Sequence, residues 1–184
     1  MDKHAISIAD HGAIGNLETI ALVDTAGTID YLCWPCLDSA SVFARLLDGD
    51  KGGHFSVEPD LPDANIVQMY LPETNILLTR WMANAASVDL VDLMPVGNDK
   101  DNAPSRLVRR LTCTRGSATV RVRCAPRFDY GVMGRTASVT TTGADVSRGR
   151  FDHESGLALA VHGPGTLVAD GCDLTAEIHL NEGD

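Results

Sequence analysis

Aromatic residues are scarce in this chain, with four Phe, three Tyr and two Trp in 184 residues. Each one is therefore a candidate for a particular role. An excess of positive charge is also missing. Fifteen Lys and Arg stand against 25 Asp and Glu, a formal charge of −10 with a sequence pI near 4.9. Phosphates would be repelled, which argues against a nucleic-acid or anionic-membrane partner and leaves a neutral or cationic ligand easier to accommodate. No stretch approaches the roughly 20 apolar residues of a membrane span. The opening MDKHAISIADHG has no apolar run of signal-peptide length, and no Asn-X-Ser/Thr site occurs. Five cysteines, an odd number without a framework spacing, fit reduced thiols and a cytoplasmic setting.

Catalytic signatures are missing too. There is no Gly-X-Ser-X-Gly elbow and no phosphate loop, and the six histidines have no metal-ligand spacing. Asp89 and Asp92 look like paired carboxylates. On a strand, residues three apart face opposite sides, so edge or turn contacts are the better reading.

What the sequence does have is period two. Ser117 to Ala125 places Ala118, Val120, Val122 and Cys124 on one face and Thr119, Arg121 and Arg123 on the other. Leu174 to Leu180 repeats the pattern, and so do Leu157, Leu159 and Val161. These spacings predict half-buried antiparallel strands. Further strands are expected at Thr19–Val23, His54–Val57, Asn65–Leu71, Ile76–Met82, Ser87–Met94, Arg106–Thr114 and Ala137–Thr142. Ten or more short strands with turn signals between them predict an all-β chain of two packed antiparallel sheets. Gly97 to Ser105 is charged, but strand patterns resume on both sides, so one domain over 1–184 is expected.

Gly27 to Asp48, GTIDYLCWPCLDSASVFARLLD, departs from this pattern. It predicts a strand over Thr28–Cys33 and a polar corner over Trp34–Ser39. A short helix is then expected near residues 40–47, with Val42, Phe43, Leu46 and Leu47 as its apolar stripe. Cys33-Trp34-Pro35-Cys36 suggests a redox pair. The expected helix starts about four residues too late to acidify either sulfur, and the surroundings are not a βαβ unit. Buried or incidental thiols are the better reading.

Two further stretches suit a ligand. In Asp10 to Asn16, DHGAIGN, Gly12 and Gly15 allow tight turns, and Asn16 can bond its own backbone or a ligand; a plain loop is the simpler alternative. Arg127 to Gly131, RFDYG, gathers Arg127, Phe128, Asp129 and Tyr130. That mix suits a hydroxyl-rich ligand, while an Arg127–Asp129 surface pair beside two core aromatics is the plainer reading. Gly12, Gly15, Asn16, Trp34, Asp38, Ser39, Arg127, Phe128, Asp129 and Tyr130 are the candidate contact residues.

DHGAIGNLETIALVDTAGTIDYLCWPCLDSASVFARLLDGDKGGHFSVEP, YLPETNILLTRW and RCAPRFDYG, in this order, resemble the N-terminal domain of bacterial and archaeal glycoside hydrolase family 15 proteins. These are the glucoamylase-like and trehalase-like enzymes. The resemblance implies a β-supersandwich, then one more strand segment, a linker and an (α/α)6 barrel. Two barrel glutamates there cleave an α-glucosidic bond with inversion. No such barrel lies in this sequence, so no catalytic residue is assigned and the chain alone is expected to be inert. The implied partners are its own barrel and a glucoside or oligosaccharide, with a dimer through the barrel-facing surface as a further option. No cofactor or metal is expected in this chain, although trehalase-like members suggest phosphate or magnesium for the parent enzyme. The family's corner, Pro-Arg-Phe-Asp-Ser-Pro-Ser, is here Pro35-Cys36-Leu37-Asp38-Ser39-Ala40-Ser41, which makes Cys36 a substitution within a contact loop. A free-standing carbohydrate-binding module and a thiol oxidoreductase are the rival readings.

Overall fold

The computed structural model describes residues 7–96, 106–131, 135–141, 146–153, 158–164 and 166–184. Along the first half run β1 (His11–Gly15), β2 (Ile20–Asp24), β3 (Ile29–Cys33), β4 (Ser41–Ala44), β5 (His54–Pro59), β6 (Asn65–Tyr70), β7 (Leu77–Met82) and β8 (Ser87–Leu93). They are followed by β9 (Val108–Arg115), β10 (Ser117–Ala125), β11 (Arg135–Thr141), β12 (Val146–His153), β13 (Ala158–Pro164), β14 (Val168–Asp170) and β15 (Asp173–Asn181). Two 3₁₀ turns, Ile8–Asp10 and Asp129–Gly131, are the only helical pieces among the described residues.

The all-β, antiparallel reading holds. One sheet runs β1-β2-β3-β5-β10-β15-β14, with β4 also paired to β3, and a second runs β6-β7-β8-β9. The two-sheet expectation needs one addition, a third sheet of β11-β12-β13. Its Phe151 joins the main core, and a Cβ on Gly149 would meet Leu174 at 2.2 Å, so this small sheet lies against β15. The expected inward residues Ala118, Val120 and Cys124 are buried, while Arg121 and Arg123 point out. Alternation between apolar and polar residues decides which face of β10 enters the core.

The core has two parts. Ile14, Val23, Ile29, Phe43, Leu77, Phe128, Phe151 and Leu174 belong to one, and Val57, Trp81, Leu90 and Val120 form the other. Between the sheets, Arg109 binds Asp92 through Nε at 2.9 Å and Nη2 at 3.0 Å. The same guanidinium donates to the Phe55 carbonyl at 2.6 Å and to the Gly27 carbonyl, and lies 4.8 Å from the Phe55 ring centre. A charge this deep persists only with partners on every side. Arg109 therefore ties the second sheet to the first.

Asp89 and Asp92 do face opposite ways, as their spacing requires. The edge-or-turn reading is wrong, because β8 is an inner strand flanked by β7 and β9. Asp89 takes a forked pair from Arg80, with both bonds at 2.6 Å, and Asp92 takes Arg109.

The helix expected near residues 40–47 is absent. Ser41–Ala44 is a strand paired to β3 through Tyr31↔Ala44, Leu32↔Phe43 and Cys33↔Ser41, and all four of its side chains are buried. A helix exposes one side, whereas Val42 and Phe43 fit a strand covered on both faces. One turn follows it, with the amides of Leu47 and Asp48 both donating to the Ala44 carbonyl. Leu47, expected on the apolar stripe, is 65% exposed. Asp10 to Asn16 is likewise not a plain loop. His11–Gly15 forms an edge strand on β2, with Ile14 buried. Gly12 lies in this strand against Leu77 rather than in a turn, and a Cβ there would meet a Leu77 methyl at 2.6 Å. The charged stretch from Gly97 to Ser105 and the position of Leu157 lie outside the described residues.

Candidate functional site

Three separate segments meet where β3 ends. The β1–β2 connection is shaped by Asn16, whose Oδ1 accepts the amides of Glu18 at 3.1 Å and Thr19 at 3.0 Å. Asn16 thus bonds its own backbone, one of the two roles expected of it. Thr19 then donates its hydroxyl to the Cys33 carbonyl at 2.6 Å, and the Leu37 amide donates to the Glu18 carbonyl at 3.0 Å. These bonds fasten the Trp34–Ser39 corner to the β1–β2 connection.

The corner also closes on itself. The Cys36 amide donates to Ser39 Oγ at 3.2 Å, the Ser39 amide to the Cys36 carbonyl at 3.0 Å, and the Trp34 amide to the Ala40 carbonyl at 3.4 Å. Trp34 is half-buried and packs on the main core. Asp38 is exposed, and its carboxylate has no partner among the described residues. It is the free acceptor of the corner.

The third segment arrives through β4. The Arg127 amide donates to the Val42 carbonyl at 2.9 Å, and the Tyr130 amide to Ser41 Oγ at 3.0 Å. Phe128 is fully buried in the main core, so it anchors the segment rather than meeting a ligand. Arg127 does not pair with Asp129. Its guanidinium goes to Asp173 at 2.8 Å, which Arg123 also binds at 2.7 Å. The register of β10 with β15 brings this carboxylate close, beyond the reach of a local reading. Burial pushes the Asp173 carboxyl up, but the Arg127 and Arg123 guanidiniums outweigh it and hold the group below its usual range. Burial and the nearby Arg45 and Arg123 charges bring His54 down to about 4.

Asp129 and Tyr130 have φ values of +50° and +56°, and Leu17 has +74°. Left-handed backbone is uncommon for residues with side chains and marks positions held by their surroundings. Leu17 and Tyr130 at these positions are 91% and 49% exposed, and Leu37 on the adjoining corner is 54% exposed. Beneath them the Cys33 thiol donates to the Tyr31 hydroxyl at 3.5 Å. The neighbouring Cys33, which as a thiolate would accept the phenol proton and repel a phenolate, together with burial and the nearby Tyr130, pushes the Tyr31 phenol up to about 12 and keeps it protonated.

The structure thus gathers Gly15, Asn16, Trp34, Asp38, Ser39, Arg127, Phe128, Asp129 and Tyr130 around the end of β3. Gly15 serves the close pass of its strand, since a Cβ there would meet the Thr19 carbonyl at 2.8 Å. Gly12 is elsewhere, lining a cleft of about 440 Å³ between β1 and β6. Leu17 and Leu37 were missed by sequence reasoning. Asn16 signals the turn around Leu17, but its outward side chain follows from a backbone angle that the sequence does not display. Cys33 is buried and Cys36 exposed, and no helix follows them to acidify either sulfur. Among the described residues no three His, Cys, Asp or Glu side chains gather as metal ligands.

The described residues form an all-β domain of antiparallel sheets with a hydrogen-bonded, partly apolar loop corner. The family described as "Trehalase-like, N-terminal" matches residues 1–155, and the chain belongs to it. It is 27% identical to the trehalase of Mycobacterium tuberculosis over 194 residues, covering 96% of this chain and 28% of that protein. The Mycolicibacterium smegmatis trehalase is 29% identical, with coverage of 96% and 29%. Trehalase 1 of Sulfolobus acidocaldarius is 36% identical over 121 residues, covering 66% of this chain and 20% of that enzyme. The chain therefore spans less than a third of the length of these relatives. No solved structure matches it.

Proposed function

We propose that this chain is the non-catalytic N-terminal β-sandwich of a longer, cytoplasmic, inverting α-glucosidase that acts on trehalose. The relatives' name, trehalase, favours trehalose over malto-oligosaccharides as the substrate of the longer enzyme. The domain docks on the catalytic barrel through the corner at the end of β3, where Asp38 and Tyr130 help to shape the active-site mouth. One observation carries this reading. Leu17 and Tyr130, on left-handed backbone, and Leu37, on the hydrogen-bonded corner, are all exposed, which suits a contact surface and serves no purpose inside the sandwich.

Calorimetric titration of the isolated chain with trehalose, maltose and malto-oligosaccharides tests it. Silence is expected of a docking domain. Millimolar or tighter binding would instead support a free-standing carbohydrate-binding module.

A further inference from the structure

The outer face of the first sheet holds a cleft of about 650 Å³. Strand register sets its floor in two rows. Ser56, Arg123 and Thr175 stand side by side on β5, β10 and β15, with Val168 of β14 beyond them. In the next row, Arg121 stands between Glu58 and Glu177. Alternation puts these side chains on the face opposite Val57, Val120 and Cys124, which are buried in the core. The rows are two residues apart along β10, about 7 Å.

The two rows offer different chemistry. In the first, Arg123 donates to Asp173 through Nε at 3.1 Å and Nη2 at 2.7 Å, which leaves its Nη1 without a partner among the described residues. Ser56 is only 2% exposed, yet its hydroxyl has no partner among them either. His54, at the head of β5, lines the same end of the cleft. Burial, Arg45 and Arg123 bring its imidazole down to about 4, against the weaker opposing pull of Asp173 and Glu58. The ring is therefore neutral and donates from one nitrogen. In the second row, Arg121 is exposed and makes no ion pair among the described residues, although both its cross-strand neighbours are glutamates.

Charge and donor placement select a ligand. The first row presents donors around a guanidinium, whose planar fork matches a carboxylate. The second presents two carboxylates that accept from hydroxyls, and one guanidinium that donates to them. An ammonium there would be repelled by Arg121, and a dianion by both glutamates. The chain carries −10 overall, but the balance within the cleft admits a single negative charge. We infer that this cleft binds a small polyhydroxylated monocarboxylate, with its carboxylate on Arg123, Ser56 and His54 and its hydroxyls on Arg121, Glu58 and Glu177. None of these residues belongs to the corner at the end of β3, so the site is independent of docking there.

NMR titration of the 184-residue chain with D-gluconate, read at the His54 imidazole, tests the site. Sorbitol supplies the hydroxyls without the carboxylate, hexanoate the carboxylate without the hydroxyls, and sulfate a second charge. Gluconate is expected to saturate and to raise the His54 midpoint above about 4, because a bound carboxylate offsets the Arg45 and Arg123 charges. Sorbitol, hexanoate and sulfate should each bind at least about tenfold more weakly. Arg123→Gln and Arg121→Gln should each weaken gluconate by about tenfold. Arg121 is exposed and unpaired, so its variant should keep the parent's urea midpoint. No saturable shift with gluconate would overturn the site. Equal binding of sorbitol, hexanoate or sulfate would overturn the ligand class, and gluconate binding unchanged in either variant would overturn the placement.

Discussion

The amide of Tyr130 donates to the hydroxyl of Ser41 at 3.0 Å, joining segments 89 residues apart. Ser41 lies on β4, whose partner β3 leads directly into the Trp34 corner. The bond thus holds the aromatic segment and the polar corner in one frame.

Replacing Ser41 with Ala removes the acceptor and leaves a partly buried N–H unpaired. The expected loss is about 1 kcal/mol of stability, read as a lower urea midpoint at unchanged slope. The Tyr130 amide should also exchange faster. No change at that amide would mean that the left-handed turn at Asp129–Tyr130 is held by other groups.

The pair formed by Arg109 and Asp92 predicts a larger effect. Arg109→Met strands a buried carboxylate and is expected to cost about 3–5 kcal/mol. The double variant Arg109→Met, Asp92→Leu should recover much of that loss, because no charge is then left without a partner. Denaturation of both variants checks this. A single variant costing under about 1 kcal/mol would contradict the inter-sheet role.

Two histidines should titrate in opposite directions. His54 is lowered to about 4, mainly by burial and then by Arg45 and Arg123. The unfolded chain therefore binds this proton more readily. The stabilisation from His54 is complete above about 6.5 and is lost as pH falls towards 4. Burial also lowers His11, but its bond to Asp30 at 3.0 Å and that carboxylate's charge outweigh this and raise it above 6.5. Its contribution is complete below 6.5 and fades as pH rises through the folded value. Imidazole titration by NMR reads both residues. His54 charging near 6.5 would contradict the arginine-flanked site.

Much of the sandwich was legible in the sequence, because period two survives wherever one face is buried and the other wet, as along Ala118–Cys124. It failed where that contrast vanishes. β4 is buried on both faces, and its Val42 and Phe43, followed by Leu46 and Leu47 of the next turn, imitate helical spacing. β1 carries glycines that pack against Leu77 and the Thr19 carbonyl, and there they resemble turn residues. The corner loops could be picked out singly, but their meeting depends on the pairing of β3 with β4. Partners such as Asp173 for Arg127, 46 residues away, follow from strand register and not from local sequence.

Corner docking is tested most directly by steady-state kinetics on trehalose with the longer enzyme carrying Asp38→Ala or Tyr130→Ala. Both side chains are exposed, so neither substitution should unfold the sandwich. The expected result is a several-fold loss in kcat/KM, carried mainly by KM, with the unfolding midpoint unchanged. If kcat and KM both match the parent enzyme in both variants, the corner does not shape the active-site mouth.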